Sequence, residues 1–260
     1  MTTNGYTIEL REVSFGYGPD GPVVLKKLSG RIPERAITAL LGPNGSGKTT
    51  LLHLLLGLLA HKEGDILVSG KALGGYSPKD MKRLIGLVPQ EESIPFDLSV
   101  FEYVLLGRAP HLRLLALPKE EDFKIALDAL ETIGITALRD RSLPSLSGGE
   151  RQLVMIARVL TQESAILLLD EPTSHLDLAN RRRVLQVMQL LRDMGKTVVF
   201  STHDPNAAAG IADHVLMLRD GRILVAAPVR EAFTTKNLSD TYGVEVEVIE
   251  MRNRPMVLPF

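Results

Sequence analysis

Residues Ile37-Thr38-Ala39-Leu40-Leu41 form a short apolar run that leads directly into Gly42-Pro43-Asn44-Gly45-Ser46-Gly47-Lys48-Thr49. A strand with one solvated face alternates apolar and polar residues, whereas a run without alternation is the mark of a strand covered on both faces. The pattern returns at residues 166–169 and 197–200. Helical stretches lie between these runs, at 51–59 and at 180–194, the second closed by Gly195. Uniformly apolar strands alternating with helices imply an α/β fold with a parallel sheet covered on both faces.

Other stretches obey a different rhythm. Ile8, Leu10, Val13 and Phe15 alternate with polar residues, a turn follows at Pro19-Asp20-Gly21-Pro22, and residues 23–32 complete an antiparallel hairpin. Residues 66–68 and 85–88 are short strands, the latter stopping at Pro89-Gln90. Residues 91–160 carry helical patterns broken by Pro95, Pro110, Pro118 and Pro144, with Phe123, Leu127 and Leu130 on one helix face and Gly134 as its stop. They read as a mainly helical insert. Residues 215–218 and 223–226 flank Asp220-Gly221, a strong hairpin signal. Residues 244–260 begin with strand-like alternation. No internal repeat or low-complexity segment is present.

Composition narrows the classes. The 260 residues carry a formal charge of −1 from 30 basic and 31 acidic side chains, with 45% hydrophobic residues, as in an ordinary globular protein. The near-neutral balance argues against a general nucleic-acid binder. Without cysteine there is no disulfide framework, thiol nucleophile or Cys-based metal site. A membrane span needs roughly 18 consecutive apolar residues; the best stretch, residues 51–60, is short and carries His53 and Gly57. Residues 1–10 lack the basic start and apolar core of a signal peptide. The chain is expected to stay where it is made and to meet a membrane through a partner.

Three motifs carry chemistry. The stretch from Gly42 to Thr49 matches the Walker A pattern at every fixed position. Its glycines let successive N–H groups turn inward onto phosphate oxygens, and the helix opening near Lys48 adds its positive end. Lys48 would reach the outer phosphates and the Thr49 hydroxyl would ligate Mg²⁺. A chance glycine-rich turn is the competing reading, and the strand before it and the helix after it count against that. Ile166-Leu167-Leu168-Leu169-Asp170-Glu171 supplies a second part: a buried strand delivers Asp170 to its C-terminal edge, to hold Mg²⁺ through water, and places Glu171 to polarise an attacking water. Two solvated carboxylates at a strand end would be the preferred reading were the glycine loop absent. Third, Leu146-Ser147-Gly148-Gly149-Glu150-Arg151-Gln152 pairs a capping box, Ser147 with Glu150, with two adjacent glycines ahead of an apolar helix. Glycines inside a helix forgo about 1 kcal/mol each, which makes sense where a ligand must approach the backbone.

Together these motifs resemble the nucleotide-binding subunit of ATP-binding cassette (ABC) transporters, from about Ile8 to Val248, with residues 146–152 similar to the signature sequence. The resemblance implies an α/β P-loop NTPase (RecA-like) core with an antiparallel β subdomain (residues 1–90 and 161–243), an inserted helical signature subdomain (91–160) and a C-terminal tail (244–260). It implies an ATPase using ATP and Mg²⁺. In this family two subunits pack head to tail, and the signature of one closes on the γ-phosphate held by the Walker A loop of the other. On that basis Gly42, Pro43, Asn44, Gly45, Ser46, Gly47, Lys48, Thr49 and Thr50 would bind nucleotide in cis and Ser147, Gly148 and Gly149 in trans. Tyr17 resembles the aromatic that stacks on adenine, although an exposed strand tyrosine is the alternative. Gln90 resembles the glutamine that contacts Mg²⁺ and the attacking water, His203 the switch histidine at the γ-phosphate, and Asp177 the aspartate at the dimer seam. Taken alone, Gln90 is loop decoration and His203 a structural histidine. The run Arg181-Arg182-Arg183 reads as a solvated helix face. Arg35 stands where a glycine is common.

Ser174-His175-Leu176-Asp177-Leu178, Gly107-Arg108-Ala109-Pro110-His111 and Tyr242-Gly243-Val244 look similar to stretches of ATPases of importers for iron siderophores, haem, cobalamin and related metal chelates. This resemblance implies transmembrane permease subunits, an indirect link to a substrate-binding protein, a peripheral place on the cytoplasmic face of the inner membrane, and no nucleic acid. The segment holding Ile94, Pro95, Phe96, Leu98, Val100 and Phe101 is expected to expose an apolar patch for a short permease helix. The alternatives are a soluble non-transport ABC ATPase or a transporter subunit with another cargo. Repair types carry long coiled coils and ribosome-associated types two cassettes, neither of which this chain has. A regulator without turnover is disfavoured by the presence of both Glu171 and His203.

Overall fold

The computed structural model describes residues 5–18, 21–92, 96–113 and 115–259. Pro19 and Asp20 of the expected first turn, Ile94 and Pro95 of the expected apolar patch, and Phe260 of the tail lie outside them. The chain opens with strands β1 (Tyr6–Gly16), β2 (Val23–Pro33) and β3 (Ile37–Leu41), then helix α1 (Lys48–Leu55). Next come β4 (Glu63–Val68), β5 (Lys71–Ala72), α2 (Pro78–Leu84) and β6 (Ile85–Val88). A mainly helical stretch holds α3 (Val100–Leu105), α4 (Glu120–Ile133) and α5 (Gly148–Thr161). The α/β rhythm resumes with β7 (Ile166–Leu169), α6 (Leu178–Asp193), β8 (Thr197–Thr202), α7 (Pro205–Ile211) and β9 (His214–Arg219). β10 (Arg222–Pro228), α8 (Val229–Ala232), α9 (Thr235–Tyr242), β11 (Val246–Met251) and β12 (Arg254–Pro259) complete it.

The apolar runs make the central sheet. Its order is β10-β9-β3-β8-β7-β6, parallel except for the antiparallel edge strand β10. Every residue of β3, β7 and β8 is buried, as a strand covered on both faces requires. The twofold alternation of strand side chains divides these residues between two cores. Leu40, Leu168 and Val199 join Leu51, Leu52, Leu54 and Leu55 of α1 and the inner face of a second, antiparallel sheet of order β2-β1-β4-β5. Ala39, Leu41, Leu167, Leu169, Val198 and Phe200 face the other way, into a core that runs on through α6 and into α4 and α5. Because β3, β7 and β8 are parallel, their C-terminal ends share one edge, and Gly42, Asp170 and His203 follow there.

Several expectations change in detail. The first helix runs over residues 48–55, not 51–59, because Gly57 turns left-handed at φ 74° and Leu58 is left exposed. Helix α4 does end at Gly134, at φ 72°, but its buried face is Ala126, Ala129, Leu130 and Ile133. Phe123 lies outside that face and stacks on Phe101 with ring centroids 6.0 Å apart. Val100 is buried and Leu98 and Phe101 pack on the core, so among the described residues of the expected apolar patch Phe96, 68% exposed, is the freely presented one. Arg35 adopts φ 53°, the conformation for which glycine is common, with its N–H donating to Thr197 Oγ1 at 2.9 Å. Asp220 and Gly221 turn the β9–β10 hairpin at φ 51° and 74°. The tail is a second such hairpin, β11 with β12, turned by Arg252 and Asn253 at φ 51° and 62°. Among the described residues no helix is long and apolar enough to cross a membrane.

Candidate active site

The loop between β3 and α1 curls tightly for steric reasons that select glycine. A Cβ on Gly42 would lie 2.1 Å from the Leu218 carbonyl oxygen, and one on Gly47, at φ 102°, would lie 2.5 Å from Leu25 Cδ2. Lys48, 6% exposed, donates from Nζ to the carbonyls of Gly42 at 2.9 Å and Pro43 at 3.1 Å, and lies 3.7 Å from Glu171 Oε1. Burial pushes its ammonium below the ordinary lysine range, while the charges of Glu171 and Asp170 pull it back up. The Ser46 hydroxyl is buried without a hydrogen-bond partner, an unsatisfied group that points to a ligand. Thr49 presents its side chain from the first turn of α1.

The end of β7 supplies the acidic pair. Asp170 is buried and accepts from Ser201 Oγ at 2.5 Å, and the Glu171 N–H donates to the same hydroxyl oxygen at 2.8 Å. The register makes this link, since Leu169 pairs with Phe200 and the next residues fall side by side. Glu171 takes a left-handed φ of 46°, which costs a non-glycine residue about 1–2 kcal/mol. His203 Nδ1 lies 2.9 Å from Glu171 Oε2, within hydrogen-bond distance, an imidazole N–H facing a carboxylate oxygen that accepts. Lys48 and His203 therefore hold the two oxygens of one carboxylate.

These residues open onto a cleft of about 840 Å³ lined by Asn44, Gly45, Gly47, Lys48, Thr49, Thr50, Gln90, Glu171 and His203. Gly42, Pro43, Ser46 and Asp170 do not line it; the first two hold Lys48 through their carbonyls and Asp170 is pinned by Ser201. Tyr17 is not part of the wall either. Its ring is 52% exposed, edge-on to Phe15 at 4.9 Å, with its hydroxyl 3.1 Å from Thr50 Oγ1, so it stands beside the loop helix. Ser147, Gly148, Gly149 and Asp177 are likewise outside the wall. Ser147 and Glu150 form the expected capping box. The bareness of Gly149 also has a reason within the chain: a Cβ there would come within 2.3 Å of Asn180 Cγ. Asp177 caps α6, accepting from the N–H and Nδ2 of Asn180 at 2.8 Å each. Arg181 corrects the expectation of a solvated face, for it lines the cleft and pairs with Asp204. Ser201 carried no motif in the sequence; only the pairing of β7 with β8 brings it to the site.

Among the described residues no cluster of three or more His, Asp or Glu side chains stands ready for a metal ion. A cation here would rely on mixed oxygen donors, and Thr49 Oγ1, the Gln90 carboxamide and Asp170 fit Mg²⁺, which takes few protein oxygens and keeps several waters.

The family model described as ABC transporter matches residues 25–174, more than half of the chain. The chain belongs to the ABC transporter family. It is 40% identical over 252 residues to a Helicobacter pylori protein assigned to iron chelatin transport as its ATP-binding protein, covering 96% of this chain and 98% of that one. It is 36% identical over 262 residues to the ferric enterobactin transport ATP-binding protein FepC of Escherichia coli, covering 100% and 96%. Among solved structures, an inward-facing ABC transporter assigned to the metal-chelate type superposes with a TM-score of 0.86 at 35% identity, over 98% of both chains. The chain thus has the fold of an ABC ATP-binding subunit, binds ATP and is an ATPase.

Proposed function

We propose that this ABC ATPase drives an importer of an iron-siderophore, haem, cobalamin or similar metal chelate. It works as a head-to-tail pair on transmembrane permease subunits at the cytoplasmic face of the inner membrane, served indirectly by a substrate-binding protein. Residues 1–90 and 161–243 act as the ATPase core with its antiparallel subdomain, residues 91–160 as the helical signature subdomain, and residues 244–260 as a tail. The relatives at 36–40% identity across nearly the full chain, named for iron chelatin and ferric enterobactin, support the cargo class.

One observation carries the catalytic part: Glu171 is held between Lys48 at 3.7 Å and His203 at 2.9 Å, on the edge where the parallel strands end. ATP would place its phosphates on the curled N–H groups of residues 44–49, with the Ser46 hydroxyl and Lys48 Nζ on their oxygens and Thr50 behind. Tyr17 would meet the adenine from outside the cleft wall. Thr49, Gln90 and Asp170 would hold Mg²⁺, which neutralises developing phosphate charge when bound. Glu171 orients the attacking water and takes its proton on a carboxylate oxygen, while His203 fixes that carboxylate beside the γ-phosphate. Ser147, Gly148, Gly149 and Asp177, off the cleft in one chain, complete it from the second copy.

The test is uptake of candidate chelates by membrane vesicles carrying the permease and this chain. ATP-dependent uptake lost with Lys48→Ala is the expected result. Uptake unaffected by that change, or permease binding without uptake of any metal chelate, would overturn the reading.

A further inference from the structure

Tyr242 ends α9, half-buried against the main core, and its hydroxyl donates to the backbone carbonyl of His203 at 2.8 Å, 39 residues earlier in the chain. The stretch that follows His203 is gripped again from the C-terminal hairpin. Asn206, in the first turn of α7, donates from Nδ2 to the Val257 carbonyl at 3.0 Å and accepts the Val257 N–H on Oδ1 at 2.8 Å. Arg254 donates to the Ala209 carbonyl at 3.1 Å. Residues 203–209 are therefore suspended between the end of α9 and β12. His203 is itself exposed and its side chain bonds Glu171, so its backbone anchor governs where Nδ1 sits. Burial, with the Glu171 charge nearby, raises the Tyr242 hydroxyl well above the ordinary range, and it remains a donor at working pH.

We propose that Tyr242 is a positioning residue for ATP hydrolysis, fixing the His203 backbone so that Nδ1 meets Glu171, with β12 bracing the helix behind it. The proposal rests on reading Glu171 and His203 as the hydrolytic pair. It gives the segment from Tyr242 to Val257 a part in turnover although no phosphate-binding motif lies there.

The experiment is steady-state ATP hydrolysis by the full chain, wild type and Tyr242→Phe, each also in a His203→Ala background. Phenylalanine keeps the ring and removes only the donor. Loss of one net hydrogen bond should lower kcat about three- to tenfold. The KM for ATP should stay within about twofold, since the contact lies away from the phosphate loop, and Tm should fall by no more than about 4 °C. In the His203→Ala background Tyr242→Phe should change the residual rate no further. Wild-type kcat in Tyr242→Phe, or the same fold loss in both backgrounds as a general folding defect would give, overturns the positioning role. Full activity in His203→Ala would overturn the underlying assignment of the pair instead.

Discussion

Glu171 shows how much of this site depends on single atoms. Its backbone is held left-handed with the N–H on Ser201, one carboxylate oxygen lies near Lys48, and the other accepts from His203. Replacing it by glutamine keeps the shape and removes the base. Glu171→Gln should therefore retain ATP binding, lose about 10²–10⁴-fold in hydrolysis and accumulate an ATP-bound dimer on size exclusion; near-normal turnover would remove Glu171 from the catalytic role. Lys48→Ala should instead weaken nucleotide binding, because a phosphate contact goes. Lys48, Asp170 and Glu171 were legible in the sequence because each sits at a fixed offset from an apolar run, and such runs end on one sheet edge. Ser201 and Tyr242 were not. They meet the site through strand register and through the return of the C-terminal segment, relations that no local pattern encodes.

At the level of elements, Gly107-Arg108-Ala109-Pro110-His111, similar in sequence to a stretch of the chelate-importer ATPases, binds two helices of the helical stretch together. Buried Arg108 donates to Asp122 Oδ1 at 2.8 Å, to the Thr161 carbonyl at 3.0 Å and to Glu163 Oε2 at 2.5 Å, tying α4 to the end of α5. A Cβ on Gly107 would lie 2.2 Å from the Arg158 carbonyl oxygen, so glycine is required where the segment crosses α5. The Lys119 N–H and then Arg108 hold Asp122 below its ordinary value of 3.8. A carboxylate with a depressed folded-state pKa adds stability that is fully present above 3.8 and lost as pH falls through the folded value. Urea unfolding of wild type and Asp122→Asn should thus show a stability gap at pH 6 that narrows steadily below about pH 4; a gap independent of pH would exclude this pair as its source. Phe96 belongs to the same scale. Its exposed ring, near Gln90 in sequence, suits a permease contact, so Phe96→Asp should leave ATP hydrolysis by the subunit unchanged and abolish co-purification with the permease and transport. Unchanged co-purification would put the contact elsewhere. Element types followed from periodicity, but their limits did not. Gly57 cuts α1 short and Arg252-Asn253 turns the tail hairpin, positions where conformation rather than hydropathy decides.

Across the whole molecule the parallel sheet brings the Walker A loop, Asp170, Glu171, Gln90 and His203 to one edge, while Ser147, Gly148, Gly149 and Asp177 stay outside the cleft they are expected to serve. The parallel sheet was readable from the alternation of apolar runs and helices, the first hairpin from its own period of two, and the helical stretch from its helical patterns. A division of labour between two copies enters only through the family resemblance, because no pattern within one chain encodes a contact between two. If the signature acts in trans, it fails in a way that a second subunit can repair. Ser147→Arg places bulk and charge where the partner's γ-phosphate must approach, and loses the cap of α5, which costs about 1 kcal/mol and leaves the fold intact. ATP should still bind through the untouched Walker A loop, while hydrolysis collapses. Lys48→Ala should be inactive for the opposite reason, with an intact signature and a damaged loop. In a heterodimer of the two, the loop of the Ser147→Arg chain faces the signature of the Lys48→Ala chain, so one composite site is whole and the other doubly damaged. Mixing the two inactive proteins should therefore restore hydrolysis in proportion to the heterodimer formed, measured by differently tagged subunits purified together. Hydrolysis at the full rate by a separated monomer would overturn the shared site, since a lone chain leaves its own signature outside its own cleft.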